Sequence, residues 1–299
     1  MQWVRDYHPQ PEQAKLYTTA LTITLGGNLV LAATKGVAAY LSGSVAIFAD
    51  AANSASDVLY SLLMVLGLWM AQRPPDLSHP QGHSRFEPLV GLMVTLSMAF
   101  AGYSAASEAY NRFVSGGLAV EPGLPTLVLL ASAAIKAGMF LAIRKIAMKL
   151  GSPTLATTAQ DNLSDVLTST AAFIGVIGSD LISPLTDPIA GFLVAAWIFR
   201  SAFNAGRENL KFLTGAGADP DTREEIIKIV ETVPGVERVH HMLTEYVGPG
   251  LIVDLHVNCD GDMTLNQAHT ISDEIITQVE KIPQVDRAYV HIEPHDWQE

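Results

Sequence analysis

The chain has 299 residues, 49% of them hydrophobic and 16% charged, a balance that excludes an ordinary water-soluble domain and points to an integral membrane protein. The formal net charge is -12, and no nucleic-acid partner is expected. A single cysteine, Cys259, excludes an intrachain disulfide and is compatible with a reducing compartment.

The charge is divided unevenly. Residues 1–211 hold 13 Lys and Arg against 13 Asp and Glu, whereas residues 212–299 hold 5 against 17. A neutral, apolar body is followed by an acidic one, with the junction near Leu213. The sequence predicts a cytoplasmic lead-in over 1–15, a six-helix transmembrane domain over 16–211 and a cytoplasmic domain over 212–299. The polar start "MQWVRDYHPQPEQAK" does not read as a cleavable signal peptide, because no apolar h-region adjoins it.

A bilayer-crossing helix needs about 20 mostly apolar residues. Six stretches qualify, roughly 16–40, 44–71, 86–112, 123–147, 154–179 and 185–206, separated by turn-forming runs such as "RPPDLSHPQGHS" and "SPLTDP". The fifth is the least hydrophobic, because Gln160, Asp161, Asn162 and Asp165 crowd one end. With the N-terminus inside, the cytoplasmic ends carry ten Lys and Arg, from Arg5 to Lys211, and the outer loops only Arg112. That bias places both termini in the cytoplasm. Lys35 and Lys136 fall inside spans one and four, where a long cation either snorkels to the interface or lines a wet interior.

In span two, Asn53 and Asp57 stand four residues apart and share a helix face; Asp161 and Asp165 repeat the spacing in span five. A carboxylate at membrane depth costs a few kcal/mol on insertion scales, so two such pairs need a compensating role, and a shared cation supplies one. Asp50 is a possible additional ligand or a helix cap near the start of its span. Asn and Asp are hard oxygen donors, with no histidine or cysteine among them. Such a set suits Mn²⁺, Mg²⁺ or Ca²⁺ better than Zn²⁺, and among transported trace metals it favours Mn²⁺. The loop after span two holds Asp76, His79 and His83 as D-x2-H-x3-H, a three-ligand set for a borderline metal.

The tail predicts an αββαβ order, a small α+β fold with helices on one face of a three-stranded sheet. It holds six of the nine histidines. Strict alternation puts His240, His256 and His291 on three strands, with Glu293 on the face of His291 and His241 on the face opposite His240. His269 and His295 stand apart from that set.

Taken together, the six spans, N-x3-D, D-x3-D, the loop histidines and the histidine-bearing tail resemble the cation diffusion facilitator family. The stretches "LSGSVAIFADAANSASD" and "GHSRFE" are the most specific part of the likeness, which covers nearly the whole chain. The resemblance implies a homodimer in the lipid bilayer that exchanges cytoplasmic divalent metal for protons, with a metallochaperone-like tail. It assigns Asn53, Asp57, Asp161 and Asp165 to the transport site, Asp76, His79 and His83 to the loop site, and His240, His256, His291 and Glu293 to a binuclear tail site, with His269 as a further ligand. Relatives often carry aspartate where Glu293 stands. They also pair a base, matched here by Arg85, with an acid at the membrane–tail junction, where this chain has Gly215. The absence of histidine from the transport set looks like the manganese-handling branch. Zn²⁺, Fe²⁺ or Mn²⁺ would occupy the tail. The alternatives are Fe²⁺, Zn²⁺ or Co²⁺ efflux by the same route, or a non-transporting membrane-anchored metal sensor. An enzyme is not expected, since no H-E-x-x-H run occurs in a helix.

Overall fold

A computed structural model describes residues 3–5, 10–42, 45–116 and 124–294. His295 and the side chain of Asp50 lie outside the described residues. The chain divides into two compact units, Met1–Asn209 and Leu210–Glu299.

Among the described residues the first unit is built from six long helices: α1 (Pro11–Ser42), α2 (Val45–Ala71), α3 (Phe86–Val114), α4 (Leu124–Leu150), α5 (Pro153–Leu181) and α6 (Thr186–Leu213), the last running into the second unit. The first helix starts at Pro11, five residues before the apolar run. Proline presets helical φ at the first position, where its missing N–H costs nothing. Among the described residues, α1, α2, α3, α4 and α6 are long and apolar enough to cross a membrane. The polar cluster on α5 keeps that helix below the same threshold. It is instead packed between neighbours, against α4 and α3, so its polar face meets protein. Ser152 caps its start by accepting from the Leu155 amide, with Pro153 following at N1.

The interior of this unit is a layer of apolar side chains (Met64, Leu68, Ile143 and Leu155 are among the most buried) stitched by polar contacts. Tyr17 donates to Glu87 Oε2 at 2.7 Å, Ser152 donates to the other oxygen of the same carboxyl, and Thr154 donates to the Glu87 carbonyl at 2.5 Å. These bonds tie α1, α3 and the start of α5 together. They satisfy a buried carboxyl that would otherwise carry the full desolvation penalty. Toward the opposite ends of the helices, Arg112 on α3 donates to Asp187 on α6 at 2.9 Å.

The second unit contains α7 (Pro220–Glu231), β1 (Val236–Val247), β2 (Gly250–Cys259), α8 (Leu265–Val279) and β3 (Val285–Pro294). The sheet order is β1-β2-β3, with β1 antiparallel and β3 parallel to β2. Leu251, Val253, Leu255 and Val257 alternate along β2 into one core with Ile226 and Val230 of α7 and Ile275 and Val279 of α8. Both helices therefore cover one sheet face, and the even-numbered residues of β2, His256 among them, face the other way. Asp219 caps α7 and a Thr264–Gln267 capping box starts α8.

Candidate metal centres

Three clusters of potential ligands can be built from these elements. In the membrane unit, Asp57 of α2 and Asp161 of α5 line one cleft. Asn28, Ser61, Thr158 and Asn162 line it as well, so its wall is rich in oxygen. Asn28 donates to Ser61 Oγ at 2.8 Å, and Ser61 donates to the Asp57 carbonyl at 2.7 Å. The Asn28 Oδ1 is buried with no hydrogen-bond partner among the described residues, an acceptor in the same cleft. Asp165 stands one turn further along α5. The Nζ of Lys136, on α4, lies 3.1 Å from Asp57 Oδ2 and 2.7 Å from Asp165 Oδ2. Asp57, Asp161 and Asp165 are not gathered within 4.8 Å of one another, as Asp76, His79 and His83 are in the loop and His240, His256 and Glu293 in the tail. Asn53 is exposed on α2, and it is absent from the cleft lining.

The loop between α2 and α3 folds Asp76, His79 and His83 into a compact group. Asp76 Oδ1 accepts from the amides of Ser78 (2.9 Å) and His79 (2.7 Å), an Asx turn that fixes the carboxylate. The His79 amide bond is the main reason its pKa is held below the ordinary carboxylate value. Gly82, at φ +97°, supplies the left-handed residue that turns the chain back. His83 is buried, with Nδ1 3.1 Å from the Pro74 carbonyl. A carbonyl only accepts, so Nδ1 carries a hydrogen. The Nε2 of His83 lies 3.4 Å from Asp76 Oδ2, and His79 Nδ1 lies 3.5 Å from Asp76 Oδ1.

On the open face of the tail sheet, Glu293 is the hub. His240 Nε2 is 3.0 Å from Oε2, and His256 Nδ1 and His291 Nε2 are 3.1 and 3.3 Å from Oε1. Register explains the convergence: His256 pairs with His291 across the parallel ladder, and Asn258 pairs with Glu293. Asn258 donates to the Pro294 carbonyl at 3.1 Å and accepts from Arg238 Nε at 2.9 Å, which anchors the end of β3. His269 is not drawn into this group; it is exposed on α8, with Nδ1 3.5 Å from Asp273.

The expectation for His241 is corrected by the structure. Register shifts in β1 fall between Val236 and Arg238 and between Val239 and His241. The apolar residues Val236, Val239 and Met242 pack on the core, so the spacing is three and not two. His240 and His241 consequently both face outward, with His241 5.0 Å and His240 5.8 Å from the His256 ring. A bulge sets two residues of one strand against one of its partner. The V-x2-V-x2-M spacing was the sequence signal for it.

The family model of the cation efflux transmembrane domain matches residues 21–214, and that of the cation efflux protein cytoplasmic domain matches residues 218–295. The chain is 31% identical to the uncharacterized transporter MJ0449 of Methanocaldococcus jannaschii, over 91% of this chain and 96% of that one. It is 27% identical to the manganese efflux system protein MneS of Bacillus subtilis, over 95% and 97%. With the magnetosome protein MamM of Magnetospirillum gryphiswaldense it shares 28% over 92% and 87%.

Proposed function

The chain belongs to the cation diffusion facilitator family of divalent metal efflux transporters, and from that premise we propose that it exports Mn²⁺ from the cytoplasm in exchange for protons. The observation that carries the choice of ion is the donor set. The acidic groups of the intramembrane cleft are the carboxylates Asp57 and Asp161, with Asp165 joined to Asp57 through Lys136. Oxygen donors without imidazole or thiolate suit Mn²⁺ over Zn²⁺. The likeness to a manganese efflux protein supports the same reading.

In this reading Asn53, Asp57, Asp161 and Asp165 bind the ion as cargo. It enters from the cytoplasmic side, where both termini lie, and replaces protons on the three carboxylates. Metal and proton compete for the same oxygens, and that competition is the coupling. A rearrangement that brings Asn53 and Asp165 into the cleft has to accompany binding, since neither lines it here. The loop group would capture metal beside the entrance. The tail group would hold regulatory metal and draw the acidic tails of a homodimer together by neutralising part of their charge.

The test is a flux assay in proteoliposomes with Mn²⁺, Fe²⁺, Zn²⁺ and Co²⁺, on the natural chain and on Asn53→His. Mn²⁺ should be carried best by the natural chain, and the added imidazole should shift preference toward Zn²⁺. Equal efflux with and without a proton gradient would remove the antiport half of the proposal.

A further inference from the structure

Lys136 is a buried cation paired with the Asp57 that lines the membrane cleft. It is 5% exposed, and its ammonium occupies the gap between Asp57 and Asp165, at 3.1 and 2.7 Å. Asp161 acts on the same charge through space. The oxygens that face Nζ are the oxygens a metal ion would need, so ammonium and metal cannot both hold them. Lysine is a compact point charge on a flexible four-carbon stem, and it can leave such a position by changing rotamer, with the backbone in place. Bare carboxylates at membrane depth are costly, and removing one partner of a buried pair leaves that cost uncompensated.

We propose that Lys136 is a tethered counter-cation of the transport site. Its ammonium fills the Asp57–Asp165 position when no cargo is bound, is displaced by the arriving divalent ion, and returns when that ion leaves. The ammonium offsets one of the three carboxylate charges and the exchanged protons offset the others, so the empty site changes orientation without naked carboxylates. Lys136 also becomes a determinant of selectivity. A monovalent ion gains nothing by replacing an ammonium held by two carboxylates, whereas a divalent ion brings twice the charge to the same oxygens. The proposal rests on the reading of Asp57, Asp161 and Asp165 as cargo ligands. The competing role, a staple that joins α4 to α2 and α5, predicts no gain in metal affinity when the lysine is removed.

The experiment is Mn²⁺ binding by equilibrium dialysis on the full chain, with His79→Ala and His240→Ala present to weaken the other two centres. Lys136→Ala should bind Mn²⁺ about tenfold more tightly, the low end of the coupling between close charge pairs. Propylammonium, which restores the missing charge, should weaken that binding while leaving the parent unaffected. Lys136→Arg keeps both ion pairs and therefore the fold. Its five-donor fork holds carboxylates harder, and it should bind Mn²⁺ about tenfold more weakly. Parental affinity in Lys136→Arg, or parental or weaker affinity in a folded Lys136→Ala, overturns the proposal. Asp57→Asn separates the two levels. If it binds as the parent does, the cargo-ligand reading itself fails. If it binds weakly while the lysine variants are silent, only the counter-cation fails.

Discussion

Replacing Glu293 with glutamine keeps the shape of the side chain and removes its charge, and it should weaken Zn²⁺ binding at the tail centre by about 10- to 100-fold. Three imidazole nitrogens lie 3.0, 3.1 and 3.3 Å from the two Glu293 oxygens, so an ion held by those rings also touches the carboxylate. At a ligand distance of about 2 Å, a unit negative charge and a dipositive ion attract by about 4 kcal/mol even at the dielectric of water. The glutamine oxygen keeps the ion–dipole part, and desolvation of the ion returns some of the rest. A net loss of about 1.4–2.8 kcal/mol remains, which is the 10- to 100-fold stated. The assay is competition against a fluorescent zinc chelator, on purified full-length protein carrying His79→Ala and Asp57→Asn so that the tail dominates the signal. Thermal melting of the metal-free variant controls for folding. If Glu293→Gln binds Zn²⁺ within twofold of its parent while His240→Ala loses binding, the carboxylate is only a hydrogen-bonding hub for the rings and the reasoning fails.

Other perturbations test the frame around the sites. A Cβ at Gly91 would run into Asn209 Oδ1 and the Thr154 hydroxyl, so Gly91→Ala should force α3 away from α5 and α6 and destabilise the membrane unit by about 1–3 kcal/mol, read as an earlier thermal transition in detergent. Leu255→Ala empties a fully buried position at the centre of β2 and should cost the tail about 2–5 kcal/mol in denaturant unfolding. Asp219 has its pKa lowered by the Thr222 amide and hydroxyl, so its cap stabilises α7 above the unfolded carboxylate value and loses that effect as pH falls through the lower folded value. Asp219→Ala should therefore melt earlier than the natural chain at neutral pH, with the gap closing below about pH 3; a gap independent of pH would refute the assignment.

The membrane spans were legible because lipid accepts only long apolar helices, and the polar run on α5 was legible as the exception. The tail elements were legible from caps and from the alternation of Leu251, Val253, Leu255 and Val257 on β2. His241 was misplaced because alternation assumes an unbroken ladder, and a bulge in β1 inserts one extra residue. His269 was grouped with the other histidines by likeness alone, and within one chain α8 keeps it exposed and paired with Asp273. The network of Tyr17, Glu87 and Ser152 gave no signal. Its members are 65 and 70 residues apart in sequence, and no local pattern links them.

What the sequence determined by itself is which residues are chemically able to bind a cation and which solvent each half of the chain meets, since both follow from residue type and local periodicity. What only the tertiary structure decided is which of those groups meet. Lys136 between Asp57 and Asp165 is the clearest case. The sequence left it either snorkelling or lining a wet interior, and the packing of α4 against α5, with Asp57 of α2 in reach of its ammonium, set it on the carboxylates. Periodicity assigns a residue to a face of its own helix, but the rotation of one helix against another is set by side-chain packing over the whole contact. Ion pairing between helices is therefore a property of the assembled bundle.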